Sequence, residues 1–177
     1  MRDALLLVDV LNDFRHEDGG RLAESFRKAH PHLRDALASC RDATVPVVYA
    51  NDHWGDWTVD RSTIVERAAD GVCGELIPDI APRCEEILLI KPGYSAFDDT
   101  PLRLVLADLG VERLLLAGTA LEMCVAQTAI DARERGLKVS ILVDACACVS
   151  PENAEIALAY VSRVAGAWLC PDSSLSS

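Results

Sequence analysis

Residues 114–124, LLLAGTALEMC, decide how this chain folds. Leu114 to Ala117 is a continuous aliphatic run rather than an alternating one, so it reads as a strand covered on both faces. Gly118 and Thr119 mark a turn, and the residues beyond them continue into a helical stretch, VAQTAIDARERG. A buried strand that gives way to a helix is the building block of an α/β protein. Cys124 falls near the start of that helix, where unpaired backbone N–H groups and the positive end of the macrodipole favour a thiolate. A buried packing cysteine is the competing reading.

Outward from this block the same pattern recurs. Aliphatic runs at Ala4 to Val8, Val45 to Ala50, Glu86 to Ile90, Arg113 to Ala117, Lys138 to Val143 and a weaker Ala167 to Leu169 are separated by helix-length segments. Unbroken apolarity and long connections predict a parallel sheet with crossover helices on both sides, a three-layer α/β/α arrangement. Helix punctuation supports this. Pro31 predicts a helix start, with Leu33, Ala36, Leu37 and Cys40 on one face. Thr100-Pro101 opens a helix at Leu102 that Gly110 ends, and Ser150-Pro151 reads as a cap and first-turn proline. From Asn51 to Pro82 the chain reads as a long loop without a firm strand, of the kind that carries function.

Composition narrows the function classes. The 177 residues fit one domain, 1–177. With 28 acidic against 17 basic residues the net charge is -11, which opposes docking on nucleic acid or an anionic membrane. The apolar run Ala4 to Val8 is too short for a signal or a membrane span, so a cytoplasmic location is expected. Seven scattered cysteines make a poor disulfide framework and read as free thiols, with Cys146 and Cys148 as packing residues.

Three polar residues follow directly on buried runs: Asp9, Lys91 and, beyond its turn, Cys124. In an open α/β sheet the carboxyl ends of the strands share one edge, where ligands bind. The three are therefore expected in one crevice. There Asp9 can take the thiol proton and later return it to a leaving amine, Lys91 supplies positive charge, and Cys124 attacks a carbonyl carbon.

With these blocks in view, ALLLVDVLNDF, KPGYSAFDDTPL, LLLAGTALEMCVAQTAIDARERGLKV and VDACA, the chain resembles the isochorismatase-like cysteine hydrolases, which include nicotinamidases, N-carbamoylsarcosine amidases and ureide hydrolases. The resemblance implies a Rossmann-like six-stranded parallel sheet of order 3-2-1-4-5-6. It implies a catalytic triad at Asp9, Lys91 and Cys124, a cis peptide between Thr119 and Ala120, and an oxyanion hole from the N–H groups of Ala120 and Cys124. Lys91 must then reach inward from two strands away. The family's Thr-Asp pair here reads Leu121-Glu122, which keeps a charge and loses a hydroxyl.

The resemblance implies hydrolysis of a small amide or ureide C–N bond and a dimer or tetramer of this chain. Metal-dependent relatives use an Asp-x-His motif with further histidines in the long loop; Asn51-Asp52-His53 offers no such set, so no metal or other cofactor is expected. The substrate pocket is expected from Phe14, Trp54, Trp57, Tyr94, Phe97 and Leu121. Two alternatives stand beside the amidase reading: vinyl-ether hydrolysis, as in isochorismatases that lack the cysteine nucleophile, and a non-catalytic binding protein.

Overall fold

Each aliphatic run becomes a strand of one sheet. The computed structural model describes residues 1–170. Strands β1 (Asp3–Val8), β2 (Val47–Asp52), β3 (Ile87–Lys91), β4 (Arg113–Gly118), β5 (Lys138–Cys146) and β6 (Trp168–Cys170) line up in the order β3-β2-β1-β4-β5-β6, every neighbouring pair parallel. The order reverses between β1 and β4, so their carboxyl ends diverge into a crevice at the switch point.

Six helices cover the two faces: α1 (Gly19–Asp42), α2 (Arg61–Ala69), α3 (Ile77–Ile80), α4 (Leu102–Asp108), α5 (Ala126–Glu134) and α6 (Pro151–Arg163). Side chains alternate across β1, so Leu5 and Leu7 join a core with α1, α2 and α3, while Ala4, Leu6 and Val8 join one with α4, α5 and α6. All five are fully buried, and each buried leucine contributes roughly 2 kcal/mol of transfer free energy. Among the described residues, no helix is long and apolar enough to cross a membrane.

Two expectations need correction. Pro31 does not begin a helix; it lies inside the 24-residue α1. A proline there removes one N–H and crowds the preceding turn. The buried stripe Leu22, Phe26, Leu33, Leu37 and Cys40 runs across it on both sides, so burial of one continuous face outweighs the lost bond. The stretch from Asn51 to Pro82 is not a plain loop either. Asp60 caps α2 by accepting from Thr63 N at 2.8 Å, and Ile64, Ala68, Ile77 and Ile80 bury against the α1 side of the core.

Gly118 shows why the switch point is built as it is. It closes β4 with φ 139°, and a Cβ there would stand 2.0 Å from Val8 O. Only glycine lets β4 lie this close to β1 at the point where Asp9 and Thr119 emerge.

Candidate active site

Asp9 is the first residue past β1. Its N–H donates to Ala50 O at 2.9 Å, and its backbone turns sharply into the left-handed region at φ 49°, a conformation that aspartate tolerates better than most residues. Thr119 donates its hydroxyl to Asp9 O at 2.9 Å, and Asp52 N donates to Asp9 Oδ1 at 2.8 Å. The β4 end thus holds the Asp9 backbone and the β2 end its carboxylate.

Lys91 ends β3, beside Asp52 of β2. Two strand spacings, about 10 Å, separate it from β1, and the extended lysine chain crosses them. Its Nζ donates to Asp9 Oδ2 at 2.8 Å, to Gly93 O at 2.8 Å and to Cys124 Sγ at 3.6 Å. The side chain is only 2% exposed, so its charge is compensated inside the protein rather than by water. The Asp9 carboxylate and the Cys124 thiol thus share the Lys91 ammonium as a common partner.

Cys124 does not begin a regular helix. It lies in a π-helical turn, Leu121–Val125, that leads into α5. The Thr119–Ala120 peptide before it is cis. Around the turn, Thr119 N donates to Val8 O, Leu121 N to Ala147 O, and Met123 and Val125 N both to Ala120 O. Among the described residues, the N–H groups of Ala120 and Cys124 have no acceptor outside the turn itself.

The electrostatics correct the expectation of a thiolate at rest. Burial, and after it the charge of the Asp9 carboxylate, push the Cys124 thiol up to about 12, with Lys91 only partly opposing them. Burial also raises Asp9 above the ordinary aspartate value, although Lys91 pulls it down. Burial works against the Lys91 ammonium, but the charge of Asp9 outweighs it and holds the lysine above its usual value. The resting site is therefore a protonated thiol next to a carboxylate–ammonium pair. Such an arrangement makes a nucleophile only when the carboxylate takes the thiol proton.

The crevice has a volume of about 550 Å³ and brings Asp9, Lys91, Thr119, Ala120 and Cys124 together with Trp54 and Tyr94. Four expected pocket residues lie elsewhere. Phe14 is buried against Phe26, ring centroids 5.2 Å apart, because the chain turns back at φ 55° toward α1. Trp57 is exposed and stacks on His53 at 4.3 Å. Phe97 packs in the core beneath α4, with the Arg135 guanidinium 4.8 Å from its ring centroid. Leu121 turns inward beside β5, where its N–H meets Ala147 O. In their place stand Asn12, His16, Leu22, Met123 and Val149. Nearness in sequence to Asp9 or Cys124 was an available signal for Asn12, His16 and Met123 but not for Leu22 and Val149, and it does not say which side chains turn inward.

A metal does not fit these residues. Among the described residues, no group of three or more His, Cys, Asp or Glu side chains is placed to hold one. Asp52 Oδ1 accepts the N–H groups of His53 and Trp54, and the buried His53 ring, with neither nitrogen hydrogen-bonded, lies under Trp57.

Comparison with known proteins agrees with this architecture. The family model described as the isochorismatase domain matches residues 3–171. The isochorismatase family protein YaaI of Bacillus subtilis is 35% identical over 161 residues, 91% of this chain and 89% of that protein. The solved structure of N-carbamoylsarcosine amidase from Thermoplasma acidophilum superposes with a TM-score of 0.76 at 30% identity, covering 99% of both chains. Nicotinamidase PncA from Bacillus subtilis gives a TM-score of 0.77 at 27% identity over 96% of this chain and 99% of that one. The chain accordingly belongs to the isochorismatase family.

Proposed function

We propose that this hydrolase cleaves the C–N bond of a small amide or ureide through a thioester on Cys124. The observation that carries the reading is the contact of Asp9, Lys91 and Cys124 at the sheet's switch point. The names of two relatives, N-carbamoylsarcosine amidase and nicotinamidase, support the bond class.

Asp9 removes the thiol proton as Sγ attacks the substrate carbonyl carbon. The resulting oxyanion is taken by the N–H groups of Ala120 and Cys124, in a site where fixed dipoles act with little screening. Collapse breaks the C–N bond, and the protonated Asp9 gives its proton to the departing nitrogen. Water then attacks the thioester, Asp9 takes a proton from it, and the returning thiolate is reprotonated as the acid leaves. Throughout, Lys91 keeps the Asp9 carboxylate oriented and balances the negative charge that moves between oxygen and sulfur.

Ammonia release over a panel of primary amides, carbamoyl compounds and ureides tests this. Cys124→Ala should lower turnover at least about 10⁴-fold while the protein remains folded. Turnover that survives the substitution unchanged would sink the cysteine mechanism.

A further inference from the structure

The charges around the crevice are not balanced. Asp9 and Lys91 neutralise each other at 2.8 Å. Asp18, at the rim, is paired with the exposed Arg21. Asp52 also lines the crevice; its carboxylate accepts the neutral N–H groups of His53 and Trp54 and shares the Lys91 charge with Asp9, so two carboxylates face one ammonium. Among the described residues, the crevice lining contains no arginine and no lysine beyond Lys91. Arg67 is close in space, but its guanidinium stacks on the Trp54 ring at 4.3 Å and donates to Asp13 Oδ2 at 2.7 Å. It therefore stands outside the crevice and is already paired.

The remaining walls are mostly apolar, Leu11, Leu22, Trp54, Tyr94, Met123 and Val149, with the exposed His16 beside them and the Asn12 and Asn51 side chains bonded to the backbone of Phe14 and Leu11. A substrate carboxylate brought here would lose water and meet an excess of carboxylate instead of a free cation. That juxtaposition is unfavourable on both counts. An uncharged acyl group would instead gain from covering apolar wall.

We infer that the crevice selects an amide or ureide whose acyl body is uncharged and apolar, and that Asp52 turns away substrates bearing a carboxylate. The inference rests on the proposed function only in taking this crevice as the place where substrate meets Cys124.

The test separates the two. In Cys124→Ala protein at pH 8, where ordinary imidazoles are neutral, NMR titration with 4-methylpentanamide and with succinamate, which carries a carboxylate in place of the isopropyl end, reads the preference without chemistry at sulfur. The uncharged amide should bind about tenfold tighter or more, a margin within reach of one excess charge. In the same background Asp52→Asn, which retains an oxygen for the His53 and Trp54 N–H groups, should narrow that gap. Equal or tighter binding of succinamate, or no binding of 4-methylpentanamide, overturns the inference, and an unchanged gap in the Asp52→Asn protein removes Asp52 from it. If Asp52→Asn fails to fold, as the NMR spectrum itself reports, the comparison of the two ligands decides. Should the preference for the uncharged amide hold while the wild-type chain hydrolyses nothing, the acyl-transfer reading falls and this inference stands.

Discussion

At the scale of single residues, the site depends on burial being opposed by pairing. Asp9 is 7% exposed and Lys91 2%, so neither charge is stable there without the other. This sets the pH dependence expected of the proposed activity. The reaction needs the Asp9 carboxylate, and burial raises Asp9 above its ordinary value. Activity should therefore rise with pH through a midpoint above the usual aspartate range, one that belongs to the coupled cluster rather than to Asp9 alone. A kcat/KM profile still flat at pH values below that range would contradict the role given to Asp9. Asp9, Lys91 and Cys124 were legible as residues placed just past covered strands. The aromatic lining was legible only in part, for Trp54 and Tyr94 but not for Phe14: Trp54 and Phe14 both sit at positive φ, and one peptide's rotation decides whether such a ring faces the crevice or the core.

At the scale of elements, helix α1 keeps a proline in its interior because its buried stripe continues on both sides. Pro31 is exposed, so Pro31→Ala removes no core contact and restores an N–H to the helix. It should stabilise the chain by about 1–2 kcal/mol, the helix gain less the entropy returned to the unfolded chain, and thermal denaturation should show a higher Tm. A second device joins the end of α1 to the start of β3. Arg41 grips Glu86 with two bonds, of 2.7 and 2.8 Å, and also donates to Ala81 O at 2.9 Å. Burial pushes the Glu86 carboxyl up, but Arg41 and the Arg83 N–H outweigh it and hold its pKa below the usual 4.5. A lowered carboxyl stabilises the fold above the unfolded value, and the contribution disappears as pH falls through the folded value. Glu86→Ala should cost about 3 kcal/mol at pH 7, since it leaves Arg41 largely buried and unpaired. Urea titrations at pH 7 and pH 3 should show the deficit shrinking at the lower pH; an equal deficit at both would contradict an electrostatic origin.

At the scale of the whole molecule, the open face of α6 bears on assembly. Ile156, Tyr160 and Val164 follow one another at four-residue spacing and are 68%, 52% and 68% exposed. A subunit contact of the dimer or tetramer implied by the sequence resemblance would bury such a stripe. Sedimentation velocity should then find an oligomer, and Tyr160→Asp should shift it toward monomer; a monomeric wild-type chain at micromolar concentration would rule the contact out. Residue order alone was enough for the parallel α/β sheet, since continuous aliphatic runs and helix-length connections admit few other packings. It was also enough for the three polar strand ends, because strand direction in a parallel sheet assigns every carboxyl end to one edge. What only the folded chain decided was distance and direction: how closely Lys91 meets Asp9 and Cys124, how far burial raises the thiol, and that Asp52 lines the crevice while Phe14, Trp57, Phe97 and Leu121 do not. These depend on contacts between residues tens of positions apart, such as the 2.8 Å bond from Asp52 N to Asp9 Oδ1. No local pattern encodes them, because the energy that orients each side chain comes from neighbours the chain acquires only on folding.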